Sequence, residues 1–187
     1  MRAKSSKNTK HRVIHEGRFL KFLKAGDWEY VRRHNCTGIV IIVPVTDDGC
    51  LLFVEQYRPP VRKNVIEFPA GLVNDRGDTK KESVLTAAKR ELLEETGYKA
   101  SQIKRILKGP VSGGSSADLV EMFVASGLKK VHDGGGDEFE HIQVHKVRIK
   151  FAQTWLLKMQ NKGRLIEPKI YAGLYFVNSY NNKSSRT

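Results

Sequence analysis

The chain is poor in cysteine, has no long apolar run and carries too few acids to balance its bases. Cys36 and Cys50 are its two cysteines. They form neither a CxxC pair nor a metal-ligand spacing, and so read as reduced thiols of a cytoplasmic protein rather than a disulfide framework. The longest apolar stretch, Gly38-Ile39-Val40-Ile41-Ile42-Val43-Pro44-Val45, has the length of a buried strand, far below the ~20 residues of a membrane span. Met1 to Arg12 is basic but leads into no apolar segment, which argues against a secretory signal. No internal repeat is visible. Against 33 Lys+Arg stand 20 Asp+Glu, a net charge of +13. A surface that basic attracts polyanions without naming one, so nucleic acid is a compatible partner and not a required one.

What remains is ordinary globular usage, 40% apolar and 28% charged over 187 residues, enough for one domain to bury a core without staples. Residues 1–10, with four positive charges, read as a loose basic tail, and 180–187 as a loose end. Residues 11–36 alternate and are rich in β-formers, with a turn at Gly26-Asp27, and predict a small N-terminal sheet. Gly38–Val45 and Leu51–Gln56, joined by Thr46-Asp47-Asp48-Gly49, predict a hairpin, and Arg58-Pro59-Pro60 stops the second strand. A helix is expected from Thr79 to Gly97, opened by a Thr79-x-x-Glu82 capping box, closed by a left-handed Gly97 and buried along Leu85, Ala88 and Leu92. Strands near 103–108, 119–126 and 141–149 and helices at 150–161 and 168–177 follow. That order suggests an α/β fold, an α/β/α sandwich with a mixed sheet occupying 37–179.

One helix carries most of the chemistry: Arg90-Glu91-Leu92-Leu93-Glu94-Glu95-Thr96-Gly97. Glu91 and Glu95 stand one above the other, with Glu94 on the flank of the same face. Like charges at this spacing destabilise a helix, and the macrodipole disfavours anions at its C-terminal end. A divalent cation repairs both faults, and clustered carboxylates suit a hard ion such as Mg²⁺ or Mn²⁺. A solvated acidic face with an Arg90–Glu94 ion pair explains the same residues without a metal. His141 and His145 alternate on one strand. With no third ligand evident, they read as strand residues rather than a zinc pair.

The stretch 71–98 resembles the Nudix box, G-x5-E-x7-R-E-U-x-E-E-x-G-U with U a bulky apolar residue. Glu82, seven residues, Arg90-Glu91-Leu92, Glu94-Glu95 and Gly97-Tyr98 follow it in order. The front departs from the pattern: Arg76 stands where the glycine belongs, and Gly71 lies eleven residues before Glu82. Gly71 in the glycine's role, with an insertion in the loop 74–81, accounts for this. The flanking Gln56-Tyr57-Arg58-Pro59-Pro60, Glu67-Phe68-Pro69-Ala70-Gly71 and Trp28-Glu29-x-x-x-Arg33 look like the ADP-ribose pyrophosphatase branch, and Ser112-Gly113-Gly114-Ser115-Ser116-x-Asp118 like a looser form of its S-P-G-x-S-x-E loop.

The resemblance implies a Nudix-type sandwich and a metal-dependent hydrolase of ADP-ribose or a related nucleoside diphosphate sugar. GDP-mannose and a non-catalytic module that binds nucleotide or RNA are the rival readings. It implies Glu91, Glu95 and the Ala70 carbonyl as metal ligands, with Glu94 sharing or bridging an ion. Arg90 and Glu82 orient the box, although a capping role explains Glu82 equally well. The water-activating base is expected on the loop Gly134–His141, at Glu140 or, failing that, Glu138. Trp28 is expected to stack on the base and Glu29 to accept from an exocyclic amine. Arg33 and Arg58 offer forks to phosphate oxygens, and Glu67 joins this substrate-binding set. The branch pairs its N-terminal strands across a dimer, with the stacking aromatic reaching the partner's site, so a homodimer is expected.

Overall fold

The alternation of residues 11–36 produces three short antiparallel strands, β1 (Arg12–Glu16), β2 (Leu20–Ala25) and β3 (Trp28–Arg33), in the order β1-β2-β3. This description rests on a computed structural model, which describes residues 9–75, 81–136 and 141–184. The β2–β3 turn brings Ala25 opposite Trp28, with Gly26 at φ 60°. The chain continues through β4 (Gly38–Pro44), β5 (Cys50–Arg58), β6 (Lys63–Glu67) and β7 (Ala70–Val73) to α1 (Val84–Thr96). Then come β8 (Tyr98–Pro110), β9 (Leu119–Lys130), β10 (Gln143–Arg148), a 3-10 turn at Ile149–Phe151, α2 (Ala152–Asn161), β11 (Leu165–Ile166) and α3 (Lys169–Ser184).

The mixed sandwich expected from the sequence is present, with its strands divided between two four-stranded sheets, β7-β4-β9-β8 and β10-β5-β6-β11. Each sheet holds one parallel pair, β4 with β9 and β6 with β11. β4 is apolar throughout because both its faces are covered. Val40 and Ile42 pack with Ala87, Ala88 and Leu92 of α1. Ile41 and Val43 enter the larger core with Leu51, Phe53, Ile66, Leu156 and Ile170. Phe53 stacks between Phe68 at 5.2 Å and Trp155 of α2 at 5.3 Å. Gly173 lets α3 lie directly on this core, since a Cβ there would come within 2.4 Å of Phe68.

Three expectations need correction. β4 and β5 do not form a hairpin: after a tight turn, with Gly49 at φ 73° and the single bridge Val45–Leu51, they separate into different sheets. Both edges of each strand are taken by others, β7 and β9 beside β4 and β10 and β6 beside β5, so the two do not pair beyond the turn. α1 starts at Val84 with Ser83 as its N-cap, whose hydroxyl accepts from the Thr86 N–H at 3.1 Å. The expected cap residue Thr79 lies outside the described residues. Leu85 is exposed, because the buried face runs through Ala87, Ala88, Glu91, Leu92 and Glu95. The two-residue β11 has no sequence signal of its own. It exists because Leu165 and Ile166 pair with Val65 and Ile66. Gly97 closes α1 as expected, at φ 77° with its N–H bonded to the Leu93 carbonyl.

Candidate active site

The C-terminal half of α1 lies against β7, and the contact is a glycine. A Cβ on Gly71 would fall 2.0 Å from the Glu91 carboxyl carbon, so only glycine lets the helix carboxylates approach the strand this closely. This close contact is the kind of role expected of Gly71 despite its displaced position in sequence. One residue earlier, the Ala70 N–H donates to Glu95 Oε2 at 3.4 Å. Glu91 is 8% exposed and Glu95 3%, while Glu94 is half-buried.

Arg90 ties the cluster together. Its Nε donates to Glu82 Oε1 at 3.0 Å, Nη2 to Glu82 Oε2 at 3.2 Å and to the Leu72 carbonyl at 2.9 Å. Nη1 donates to Glu91 Oε1 at 2.7 Å and Glu94 Oε2 at 3.2 Å, and Asp75 stands at 3.7 Å. Glu82 lies before the Ser83 N-cap and holds Arg90, so it does not occupy the expected capping-box position inside the helix. It also accepts from the Asn74 N–H at 3.3 Å, while its own N–H donates to Asn74 Oδ1. One guanidinium faces four carboxylates here. Burial alone would lower the Arg90 pKa, but Glu82, Glu91 and Glu94 drive it up. Burial pushes the Glu91 carboxyl up to about 7, Arg90 works against the shift, and the Glu94 charge adds to it. Carboxylate oxygens with this excess of negative charge are the donor type a hard divalent cation takes, but among the described residues no three such side chains converge closely enough to hold one while Arg90 engages Glu91 and Glu94.

Gly134, Gly135 and Gly136 have φ of 73°, 114° and 82°. They are not a free hinge. The Gly135 N–H donates to the Glu95 carbonyl at 3.0 Å and the Gly136 N–H to the Glu94 carbonyl at 3.2 Å, satisfying carbonyls that the helix end leaves open. Sequence reasoning read these glycines as freedom and missed that they cap α1. The signal was available in their need for positive φ. The expected bases Glu138 and Glu140 lie outside the described residues.

The substrate-side residues divide. Arg33 and Arg58 line a cavity of about 410 Å³ together with Ala70, Gly71, Arg90, Glu91 and Glu94. Arg58 Nε is 2.8 Å from Glu67 Oε2. The Arg33 side chain reaches Asp118 at 3.9 Å, and its backbone N–H donates to Asp118 Oδ1 at 3.0 Å. The Ser112–Asp118 loop thus docks β3 onto the rest of the chain, helped by the Val31 N–H bonding the Ser115 carbonyl at 2.9 Å. A second, mostly apolar cavity of about 730 Å³ shares Arg33, Ile39, Arg58 and Ala70 with the first. Trp28 and Glu29 line neither cavity: Trp28 is 59% exposed, and Glu29 pairs with Lys24 at 3.3 Å. His145 Nε2 lies 2.9 Å from Glu55 Oε2. No described helix is long and apolar enough to cross a membrane.

Comparison with known proteins gives the same frame. A methanol dehydrogenase activator of Bacillus methanolicus is 31% identical over 64% of this chain and 62% of its own length. An ADP-ribose pyrophosphatase of Mycobacterium tuberculosis is 37% identical over 76% of this chain and 65% of its own. The chain thus spans less than two thirds of the length of either. A crystal structure of an ADP compounds hydrolase superposes with a TM-score of 0.71 over 99% of this chain and 100% of that one, at 23% identity, and shows the shared fold. The NUDIX domain matches residues 36–162, which contain α1, β7 and the whole acidic cluster, and the chain belongs to that family.

Proposed function

We propose that the protein hydrolyses the diphosphate bond of ADP-ribose or a related nucleoside diphosphate sugar, releasing a nucleoside monophosphate and a sugar phosphate. The observation that carries this reading is the packing of Glu91 on Gly71 and Glu95 on Ala70, with Glu91 and Glu94 lining a cavity that Arg33 and Arg58 also line. The name of the Mycobacterium relative supports the substrate class. Glu91, Glu95 and the Ala70 carbonyl would hold Mg²⁺, or Mn²⁺ in its place, with Glu94 sharing it. Bound there, the ion neutralises the diphosphate and lowers the pKa of a water. The chain's own contribution is positional. Arg33 and Arg58 are steadied by Asp118 and Glu67 and grip the phosphate oxygens as planar forks. Arg90 fixes the carboxylates. Glu140, with Glu138 as the alternative, takes the proton of the attacking water.

The exposed Val13, Ile14, Phe19 and Trp28 of the N-terminal region supply apolar surface against which a second copy would dock. Sedimentation of the full chain tests this dimer.

A release assay over ADP-ribose, GDP-mannose, other nucleotide sugars, dinucleoside polyphosphates and capped RNA, with and without Mg²⁺, tests the function. Metal-dependent release from a nucleotide sugar is the expected result. Binding without turnover across the whole panel would instead establish a non-catalytic module.

A further inference from the structure

The positive charge is not spread evenly along the chain. Residues 141–187 hold nine Lys and Arg against the single acid Glu167, a net +8 of the whole chain's +13. Charge gathered in one part of a sequence points to a polyanionic partner. Glu167 is itself taken by Lys169, while Asp48 and Glu55 pair with Lys146 and Arg164. Arg148, Lys150, Lys158 and Lys162 are exposed and have no carboxylate partner among the described residues.

Aromatic rings stand among these charges. Phe151 is 54% exposed, with Lys150 Nζ 4.9 Å from its ring centre. Tyr171 and Tyr175, 45% and 68% exposed, lie four residues apart on one face of α3. Between that face and the start of α2 is a cavity of about 290 Å³, with Ile149 and Leu174 among its apolar walls and Lys150, Gln153, Tyr171 and Asn178 among its polar ones. It shares no residue with the carboxylate cavity or with the apolar cavity beside that one. α2 and α3 pack on the larger core, across β4 from α1.

Cations attract any polyanion, and the other side chains choose among them. A membrane takes a continuous apolar stripe, which α2 lacks: of its exposed residues Gln153, Thr154, Leu157, Lys158, Gln160 and Asn161, only Leu157 is apolar. A duplex keeps its base faces stacked inside, whereas a single strand offers them to aromatic rings. Gln153 and Asn178 each present a donor and an acceptor, which fit a base edge or the 2′-hydroxyl that sets RNA apart from DNA.

We infer that the α2–α3 face is a docking surface for single-stranded RNA. One base enters the cavity beside Tyr171, a second stacks on Tyr175, and Arg148, Lys150, Lys158 and Lys162 follow the phosphates. The inference does not depend on the hydrolase reading. Fluorescence anisotropy of the full chain with a labelled RNA of about 12 nucleotides tests it. The RNA should bind at least about threefold more tightly than the DNA of the same sequence or the RNA duplex, phosphatidylserine vesicles should not compete, and saturating AMP should leave it bound. Tyr175→Ala should weaken binding at least about fivefold through loss of one stacked base. Lys150→Gln with Lys158→Gln should lower the slope of log affinity against log salt by about 1.4, or about 0.7 for each phosphate contact removed. Lys99→Gln with Lys129→Gln, an exposed cross-strand pair of β8 and β9, removes the same charge at another surface and should leave both slope and affinity unchanged. Should Tyr175→Ala not fold, the two lysine pairs decide alone. Equal losses in both lysine pairs, displacement by AMP or by vesicles, or binding of DNA or duplex as tight as that of the single-stranded RNA would overturn the inference. Failure of hydrolysis with RNA binding intact would remove the enzyme reading and leave this surface standing.

Discussion

The end of α1 and the N-terminal sheet were both read from sequence as parts of one site, yet they are built differently. At the helix end every functional side chain is fixed by something beneath it: Glu91 by Gly71 and Arg90, Glu82 by Asn74, and the last carbonyls by Gly135 and Gly136. In the N-terminal sheet only Leu23 is fully buried, all five residues of β1 are exposed, and Trp28 stands in solvent. Pre-set geometry is what a reaction centre needs. An apolar surface awaiting a partner is what an interface needs. The difference fits the metal-side chemistry to the first region and the proposed assembly to the second, which also lends Arg33 of β3 to the cavity.

The comparison can be broken most decisively at Glu95. Glu95→Gln should lower metal-dependent hydrolysis by about 10³-fold while nucleotide affinity persists, in line with the loss of a preorganised electrostatic group. Unchanged turnover would remove the carboxylate cluster from the reaction. Glu140→Gln comes next. A lost general base costs about 10²-fold in kcat, and manganese titration should show the ion still held; a normal rate would move the role to Glu138. Two glycines then sharpen the contrast. Gly71→Ala forces a Cβ into the Glu91 carboxylate, and kcat/KM should fall by at least about tenfold through displaced ligands. Gly17→Ala in the N-terminal region meets only the Leu20 carbonyl at 3.4 Å, an ordinary contact, and should leave the rate within about twofold. The smallest catalytic effect is expected for Trp28→Ala. Its kcat/KM should stay within about twofold, while sedimentation should show weaker self-association. A large rise in KM would place Trp28 beside Arg33 of the same strand in substrate binding.

The acidic helix was legible because a helix converts sequence spacing directly into spatial order. Arg90, Glu91, Glu94, Glu95 and Gly97 lie within one short segment, and their mutual placement needs no tertiary knowledge. Gly71 was legible only as a missing glycine found elsewhere, since the contact that requires it joins two elements across the loop. The same limit hid the separation of β4 from β5: their apolar runs show that both are buried and say nothing about which neighbours bury them. It hid Glu55 as well. Burial acts to raise its carboxyl pKa, yet hydrogen bonds from Asn64, His145 and Arg164 hold it below its usual value. Those partners lie 9, 90 and 109 residues away, and no local pattern joins them.

Arg90 has a consequence for how the molecule comes into being. The acidic turn carries a counter-charge within its own covalent chain, so part of the repulsion that would oppose folding is offset before any ion arrives. Small zinc domains, in contrast, collapse when their metal is stripped. Synthesis and loading become separate events here: protein treated with a chelator should remain folded, with a melting temperature close to that of the loaded form, and regain full activity as soon as the ion is restored.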